Sequence, residues 1–266
     1  MNYTEINKKL WNRKTEFHYK SDFYDVPSFV KGEDSLNPVE IELLGEIEGK
    51  KILHLQCHFG LDTISLSRRG ALVTGVDFSE NAIEKANQLN KSLGTTAKFV
   101  KADIYKLPEL LDEKFDLVFT SYGVIGWLPD MKKWANVIHY FMQPGGKFVM
   151  VEFHPVVWMF SYDFQRIEFD YMDSSPIIEK LEGTYTDREA QIQEKSVTWN
   201  HGLGTVLNSI IRTGLTINDF REYNYSPYNC FENTIKTDHG KYKIKGLENK
   251  IPMVYSLVAK KENKDW

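Results

Sequence analysis

Between Lys50 and Phe153 the sequence alternates short apolar runs with segments of helical character, and this alternation constrains the fold most strongly. The apolar runs are rich in Val, Ile, Leu and Phe, as strands buried on both faces are. Ser79 is a suitable N-cap for the helix after the second run, and Gly94 is a suitable stop. The alternation predicts βαβ units and a parallel sheet. The five predicted strands are KKILHLQ, ALVTGVDF, AKFVKADI, FDLVFTSY and KFVMVEF, with a helix stopped by Pro144 before the fifth.

The flanking segments predict additions to this core. Residues 1–45 predict a helical arm, with seven aromatic side chains in the first 30 residues. Residues 155–200, called the insert below, hold short alternating pieces that predict antiparallel strands: RIEFDYMD, PIIEKLEGTYTD and QEKSVTWN. A helix and two final strands follow, joined by TDHGKYKIKGLENK, which is typical of a polar linker. The sequence therefore predicts an α/β domain over 46–266 that contains the insert, preceded by the arm.

Charge and cysteine content restrict the partners. The chain has 33 basic and 37 acidic residues, a net charge of −4, and the basic residues are dispersed. Phosphate backbones are bound by clustered Lys and Arg, so no nucleic-acid partner is expected. Two distant cysteines form no disulfide framework and indicate a reducing compartment. No apolar window reaches the length of a membrane helix, so we expect a cytoplasmic protein that does not contact membranes.

Ligands of an open parallel sheet bind beyond the carboxyl ends of its strands. Asp77 follows Gly60 by 17 residues and ends the second strand, where a carboxylate can accept hydrogen bonds from ribose hydroxyls. Asp103, after the third strand, suits either an exocyclic amine or the cap of the next turn. The first loop, QCHFG, has one glycine, with Gln56 and His58 beside it. That loop favours a nucleoside with a carboxylate tail over a dinucleotide.

Taken together, the motifs resemble those of the class I S-adenosylmethionine-dependent methyltransferases, from about Lys50 to His154. The matching strings are ILHLQCHFG, VTGVDFS, KADI, FDLVFTSYGVIGWLPD and MQPGGKFVMVEF. The string LHLQCHFG resembles one subgroup, in which His54 stands where the family usually has an acid that helps to hold the methionine amino group. The resemblance implies a Rossmann-like, doubly wound, seven-stranded sheet that is mostly parallel, with a reversed last strand.

The resemblance also implies an activity. S-adenosylmethionine would donate a methyl group by in-line displacement and leave as S-adenosylhomocysteine. The loop TSYG lacks the Pro-Pro-aromatic motif of base and amide methyltransferases, so a small-molecule acceptor is expected. The acceptor atom (O, N, S or C) stays open, as does the choice between monomer and homodimer, and no metal site is expected. The alternatives are a nucleoside-binding module without methyl transfer and an NAD-type oxidoreductase.

The implied site residues fall into three groups. His154 and Tyr122 are the catalytic candidates. Glu152 either acts as a base or accepts hydrogen bonds from backbone N–H groups. The arm and the insert would roof the acceptor pocket, with Tyr24, Trp127, Trp199 and His201 as substrate contacts. The expected cofactor contacts are Trp11, Gln56, Cys57, His58, Gly60, Asp77, Phe78, Ala102, Asp103, Ile104 and Ser121.

Overall fold

A central sheet organises the chain, which the computed structural model describes over residues 2–173, 175–237 and 240–263. The strands are β1 (Lys51–Leu55), β2 (Leu72–Asp77), β3 (Lys98–Lys101), β4 (Phe115–Ser121), β5 (Met142–Phe153), β6 (Ile177–Glu182), β7 (Gln193–Thr198), β8 (Leu215–Tyr223), β9 (Thr234–Lys236), β10 (Tyr242–Ile244) and β11 (Val254–Lys261). The helices are α1 (Tyr3–His18), α2 (Val26–Val30), α3 (Pro38–Leu44), α4 (Leu61–Arg68), α5 (Glu80–Leu93), α6 (Leu107–Leu110), α7 (Met131–Phe141) and α8 (Leu203–Ile211).

The sheet has seven strands in the order β3-β2-β1-β4-β5-β11-β8. Strands β1 to β5 are parallel, and β11 is antiparallel to both of its neighbours. The predicted fold class, including the reversed last strand, is therefore confirmed. Strand order changes direction between β1 and β4, and such a switch point is where an open sheet forms its ligand crevice.

The alternation of side chains along each strand places one core on each face of the sheet. Leu53 and Leu55 of β1 belong to the core that also contains Trp134 of α7 and Val206 of α8. The neighbouring Ile52 belongs to the opposite core, together with residues of α3 and α4. Ser79 caps α5 by accepting from Ala82 N–H, and Gly94 ends that helix in a left-handed conformation, both as predicted. Helices on both faces bury the strands and leave their carboxyl ends open.

The N-terminal helix α1 is tied both to the domain and to the insert. Asn7 donates through Nδ2 to Val197 O at 2.7 Å and accepts from Val197 N–H at 2.9 Å. Asn12 accepts from the Ser79 hydroxyl at 2.6 Å, at the tip of β2. These bonds hold α1 across the carboxyl edge of the sheet, with β6 and β7 of the insert beside it.

Three predicted elements differ in the structure. The string RIEFDYMD is not a strand and contributes one isolated bridge, from Ile167 to Phe160, because β6 pairs with β7 instead. The predicted polar linker contains β10, which pairs with β9 and buries Ile244; its Asp238 and His239 lie outside the described residues. Helix α7 ends at Phe141 because Met142 is already extended and pairs with β4. Within the described residues, no helix has the length and apolarity of a membrane span.

Candidate functional site

A cavity of about 1000 Å³ lies over the carboxyl ends of the central strands. The loops after β1 to β4 form its floor, and α1, the segment around Tyr24 and the insert form its roof. The structure brings most of the predicted site residues to this one cavity. Its lining includes Trp11, Tyr24, Gln56, Cys57, His58, Gly60, Asp77, Phe78, Ala102, Asp103, Ile104, Ser121, Tyr122, Trp127 and Trp199.

The loop after β1 has an unusual backbone. Gln56 and His58 adopt φ values of +57° and +51°, a left-handed region that non-glycine residues rarely enter. Gly60 has φ +82°, and a Cβ there would lie 2.5 Å from the Phe99 ring, so this position requires glycine. Gln56 secures the loop by donating through Nε2 to Val124 O at 2.9 Å. The loop thus keeps the backbone of a glycine-rich turn while presenting two bulky polar side chains.

Asp77 connects the tip of β2 to that loop. Its Oδ2 accepts from His58 N–H and its Oδ1 from Ser79 N–H, each at 2.9 Å. Burial raises the pKa of this carboxyl to about 6, against the effect of these bonds. An ionised carboxylate offers about four acceptor positions. The backbone N–H of Phe78 also bonds this carboxylate, so Asp77 retains capacity for at least one hydroxyl donor from the cavity.

Two further carboxylates organise the floor. Asp103 accepts from Tyr105 N–H at 3.0 Å and so caps the turn after β3, while it also lines the cavity. Glu152, at the end of β5, accepts from the N–H groups of Val124 at 2.8 Å, Ile125 at 3.1 Å and Phe153 at 2.7 Å. Of its two predicted roles, Glu152 has the contacts of the second, holding backbone N–H groups of the loop after β4.

Asp62, in the first turn of α4, is a half-buried carboxylate that lines the cavity. It accepts from Ser35 Oγ at 2.7 Å and from Ser121 Oγ at 3.3 Å. Among the described residues, no basic side chain forms an ion pair with it. Burial raises the pKa of Asp62 to about 6. A half-buried carboxylate that accepts from two hydroxyls and has no cationic partner is suited to receive a cation from a ligand.

The roof carries an opposite charge within aromatic walls. Lys14 of α1 is 5% exposed, and its ammonium lies 5.0 Å from the ring centroid of Trp11 and 5.1 Å from that of Trp127. Next to it, His18 Nδ1 and His58 Nε2 are 3.0 Å apart. Burial lowers the pKa of both histidines, that of His58 to about 3, so both rings are neutral near pH 7.

Two predicted functional histidines lie elsewhere, and the structure corrects their placement. Neither His154 nor His201 is among the residues that line the cavity. His154 is buried behind β5, with Nε2 3.0 Å from Glu222 Oε1 and Nδ1 accepting from Val156 N–H. His201 donates through Nε2 to Leu128 O at 2.7 Å. Residues after a strand can face away from the crevice, and sequence position alone does not give that direction.

Other residues of the cavity carried little signal in the sequence. Lys14 follows Trp11 by three positions and therefore shares its helix face, but most lysines on helices face solvent. Asp62 has the position of an ordinary first-turn acid. Tyr185 and Tyr228 are brought into the lining by the insert and by the loop after β8. Cys57 is a buried free thiol whose pKa burial raises well above its usual value, so it is not an activated nucleophile.

Comparison with known proteins agrees with this architecture. A family model described as "Methyltransferase domain" matches residues 52–146. The ubiquinone biosynthesis O-methyltransferase of Pseudomonas syringae is 25% identical over 158 residues, 58% of this chain and 62% of that enzyme. The enzyme of the same name from Pseudomonas fluorescens Pf-5 is 25% identical over 227 residues, 82% of this chain and 87% of its own length. The chain thus spans about three fifths of the first relative and most of the second.

A solved structure of known class is also similar to this chain in fold. The S-adenosylmethionine-dependent methyltransferase from Mesorhizobium loti matches with a TM-score of 0.62 and 25% identity, covering 87% of this chain and 99% of that one. The family model thus identifies a methyltransferase domain at residues 52–146, and the sheet has the fold of the Mesorhizobium loti enzyme. The Mesorhizobium loti protein is named as dependent on S-adenosylmethionine. These similarities do not support the nicotinamide-dependent alternative.

Proposed function

We propose that the protein methylates a small-molecule acceptor bound between the cofactor and the roof formed by the arm (1–45) and the insert (155–200). The roofed cavity of about 1000 Å³ is the observation that carries this proposal. Small-ligand sites typically measure ~300–1000 Å³, so there is room for a cofactor tail and one small acceptor. The Asn7–Val197 pair ties the two halves of the roof together, which disfavours a polymeric acceptor.

The polar groups of the floor fit an adenosine with a methionine tail. In this proposal Asp77 accepts from the ribose hydroxyls, Asp103 from the adenine amine, and Asp62 from the methionine ammonium. Gln56 Oε1 and His58 Nδ1 are buried polar atoms without a hydrogen-bond partner in the described part of the chain. Such atoms are costly unless a ligand satisfies them. Both belong to residues of the loop that would face the tail.

S-adenosylmethionine supplies a methyl group that its positive sulfonium already activates. The protein's task is therefore to orient the acceptor and to exclude water, and well-oriented pairs reach effective molarities of order ~10⁵ M. Trp11, Trp127 and Tyr122 line the cavity and present ring faces that stabilise a cation. Methyl transfer in this chamber needs no covalent enzyme intermediate.

Further features bear on the acceptor atom, the kind of partner and the compartment. The similar ubiquinone biosynthesis enzymes are named O-methyltransferases, which favours oxygen as the acceptor atom. Net charge −4 and dispersed basic residues argue against nucleic acid. Cys57 and Cys230 are free thiols, which supports a reducing compartment such as the cytoplasm.

Calorimetry with S-adenosylhomocysteine tests the cofactor part. We expect Asp77→Asn to weaken binding at least ~10-fold, because a ribose hydroxyl bonded to a charged carboxylate contributes ~1.5–3 kcal/mol. Asp112→Asn, an exposed acid that bonds Tyr140, is the control and should bind normally. Unchanged affinity in Asp77→Asn would exclude the ribose role.

A thermal-shift comparison and an acceptor screen test the reaction. S-adenosylhomocysteine should stabilise the protein, whereas NAD should not. Radiolabelled methyl donor incubated with phenols, thiols, amines and carboxylic acids should then label at least one class. Tight S-adenosylhomocysteine binding without any labelled product would favour the alternative of a nucleoside-binding module.

A further inference from the structure

We propose that Lys14 takes up the proton of an acidic hydroxyl on the acceptor and then pairs with the resulting oxyanion, so that the acceptor is a phenol. This inference rests on the proposed function and deepens it by naming the acceptor class. It also gives the proton a defined destination, which the misplaced His154 and His201 do not.

The position of Lys14 is the first argument. Its side chain is 95% buried in the roof and faces the cavity that the proposal assigns to cofactor and acceptor. The ammonium lies over the rings of Trp11, Trp127 and Tyr185, at 5.0, 5.1 and 6.0 Å from their centroids. An aromatic chamber with one polar group at its wall matches a flat aromatic ring that carries a hydroxyl.

The charge around Lys14 is the second argument. Among the described residues no carboxylate pairs with it. The titratable groups beside it are His18 on its own helix, His58 on the loop after β1, and Tyr185 of the insert. Both histidines and the tyrosine are neutral near pH 7, because burial lowers the pKa of the former and raises that of the latter. An isolated buried ammonium is costly, and an anion from the ligand would offset that cost.

The pKa values of Lys14 and of a phenol are close enough for proton transfer between them. Burial lowers the pKa of Lys14 to about 8, so an appreciable fraction of the amine is neutral near physiological pH. Phenols titrate near pH ~10, close enough for proton transfer within the cavity. An amine acceptor would carry a positive charge and would be repelled by the same lysine.

Methyl transfer to the phenol moves one proton and two electron pairs. The hydroxyl proton passes to the neutral Lys14 Nζ, which becomes an ammonium. The oxygen electron pair forms the bond to the methyl carbon while the carbon–sulfur pair returns to sulfur, leaving a methyl ether and a neutral thioether. Lys14 then returns its proton to solvent after the product leaves, because burial holds the pKa of its ammonium at about 8.

The test uses 4-nitrophenol, whose phenolate is coloured, titrated into the protein saturated with S-adenosylhomocysteine. An opposite charge at contact lowers an acid's pKa by ~1–3 units. We expect that shift in the wild type and not in Lys14→Met. Lys9→Met is the matched control, because Lys9 is an exposed lysine of the same helix that does not line the cavity, and it should behave as wild type. No nitrophenol binding, or binding without a shift, overturns the proposal.

Two further readouts separate proton acceptor, counter-ion and cofactor contact. At about pH 9, where Lys14 is mainly neutral and unsubstituted phenol is still protonated, calorimetry of phenol binding in two buffers of different ionisation enthalpy should show that the wild type retains the phenol proton. Lys14→Arg keeps the charge but cannot accept a proton, so its bound phenol should release that proton to the buffer. Release by the wild type as well would overturn the proton-acceptor role.

The affinity for S-adenosylhomocysteine alone should be unchanged in Lys14→Met. A fall of 10-fold or more (~1.4 kcal/mol) would assign Lys14 to the methionine carboxylate and overturn the acceptor role. Failure of the wild type to bind S-adenosylhomocysteine would instead reject the proposed function itself. The two failures are therefore distinguishable.

Discussion

Two charged side chains of opposite sign, the buried Lys14 and the half-buried Asp62, face one cavity, and neither has an ion-pair partner among the described residues. Asp62 lies on the floor with Ser35 and Ser121, and Lys14 lies in the roof between aromatic rings. Each costs free energy in the protein alone, because burial disfavours the charged form. A ligand that brings an ammonium to Asp62 and an oxyanion to Lys14 would relieve both costs. Single charged side chains thus set which ligand groups bind where.

The proposed contact of Asp62 can be tested by removing either partner. Asp62→Asn should weaken S-adenosylhomocysteine binding by about 10- to 100-fold, since a charged hydrogen bond contributes ~1.5–3 kcal/mol. The analogue that lacks the amino group should bind wild type and variant equally, by calorimetry. Asp34→Asn is the control, because Arg69 already pairs with that nearby acid. Equal losses for both ligands in Asp62→Asn would show that Asp62 does not contact the ammonium.

Secondary-structure elements differ in how far the sequence could predict them. Strands β1 to β5 were predictable, because a buried parallel strand has a continuous local apolar signature. The left-handed backbone at Gln56 and His58 was not, since packing against β2 and Val124 imposes a conformation that their own preferences oppose. The burial of Lys14 depends on an insert more than 150 residues away in sequence, and no local pattern encodes that contact.

The turn that links β1 to α4 should be intolerant of a side chain at Gly60. Gly60→Ala places a Cβ 2.5 Å from the Phe99 ring at φ +82°, so both strain and overlap oppose it. We expect a loss of ~1–3 kcal/mol in the free energy of unfolding, measured by urea denaturation, together with weaker S-adenosylhomocysteine binding. Gly94→Ala is the control: it has φ +64° but open space around it, so it carries the backbone strain without the overlap. Equal stability losses in the two variants would show that Phe99 does not restrict the turn.

At the scale of the whole molecule, several carboxylic acids in and behind the cavity wall bind their protons more tightly in the fold than in the unfolded chain. Burial raises the pKa of Asp62 and Asp77 to about 6 each. Glu40 of α3 lies behind the cavity wall, 1% exposed, and burial followed by the charge of Asp62 raises its pKa to about 7. These groups make the ligand-free fold less stable as they ionise. A cation that binds among them would therefore stabilise the protein most at neutral and higher pH.

Glu40 allows the effect of a buried acid on stability to be measured separately from ligand binding, because Glu40 lies outside the cavity lining. Between pH 4.5 and about 7 the folded state binds its proton more tightly than the unfolded chain does. Its contribution is therefore fully present below pH 4.5 and lost as pH rises through 7, a change of at most ~3 kcal/mol. Glu40→Gln keeps a neutral side chain of similar shape, so the variant should gain stability relative to wild type between pH 5 and pH 8 in urea denaturation. The exposed Glu109→Gln should follow the wild-type curve. A constant difference between wild type and Glu40→Gln across that range would show that the pKa of Glu40 is not raised in the fold.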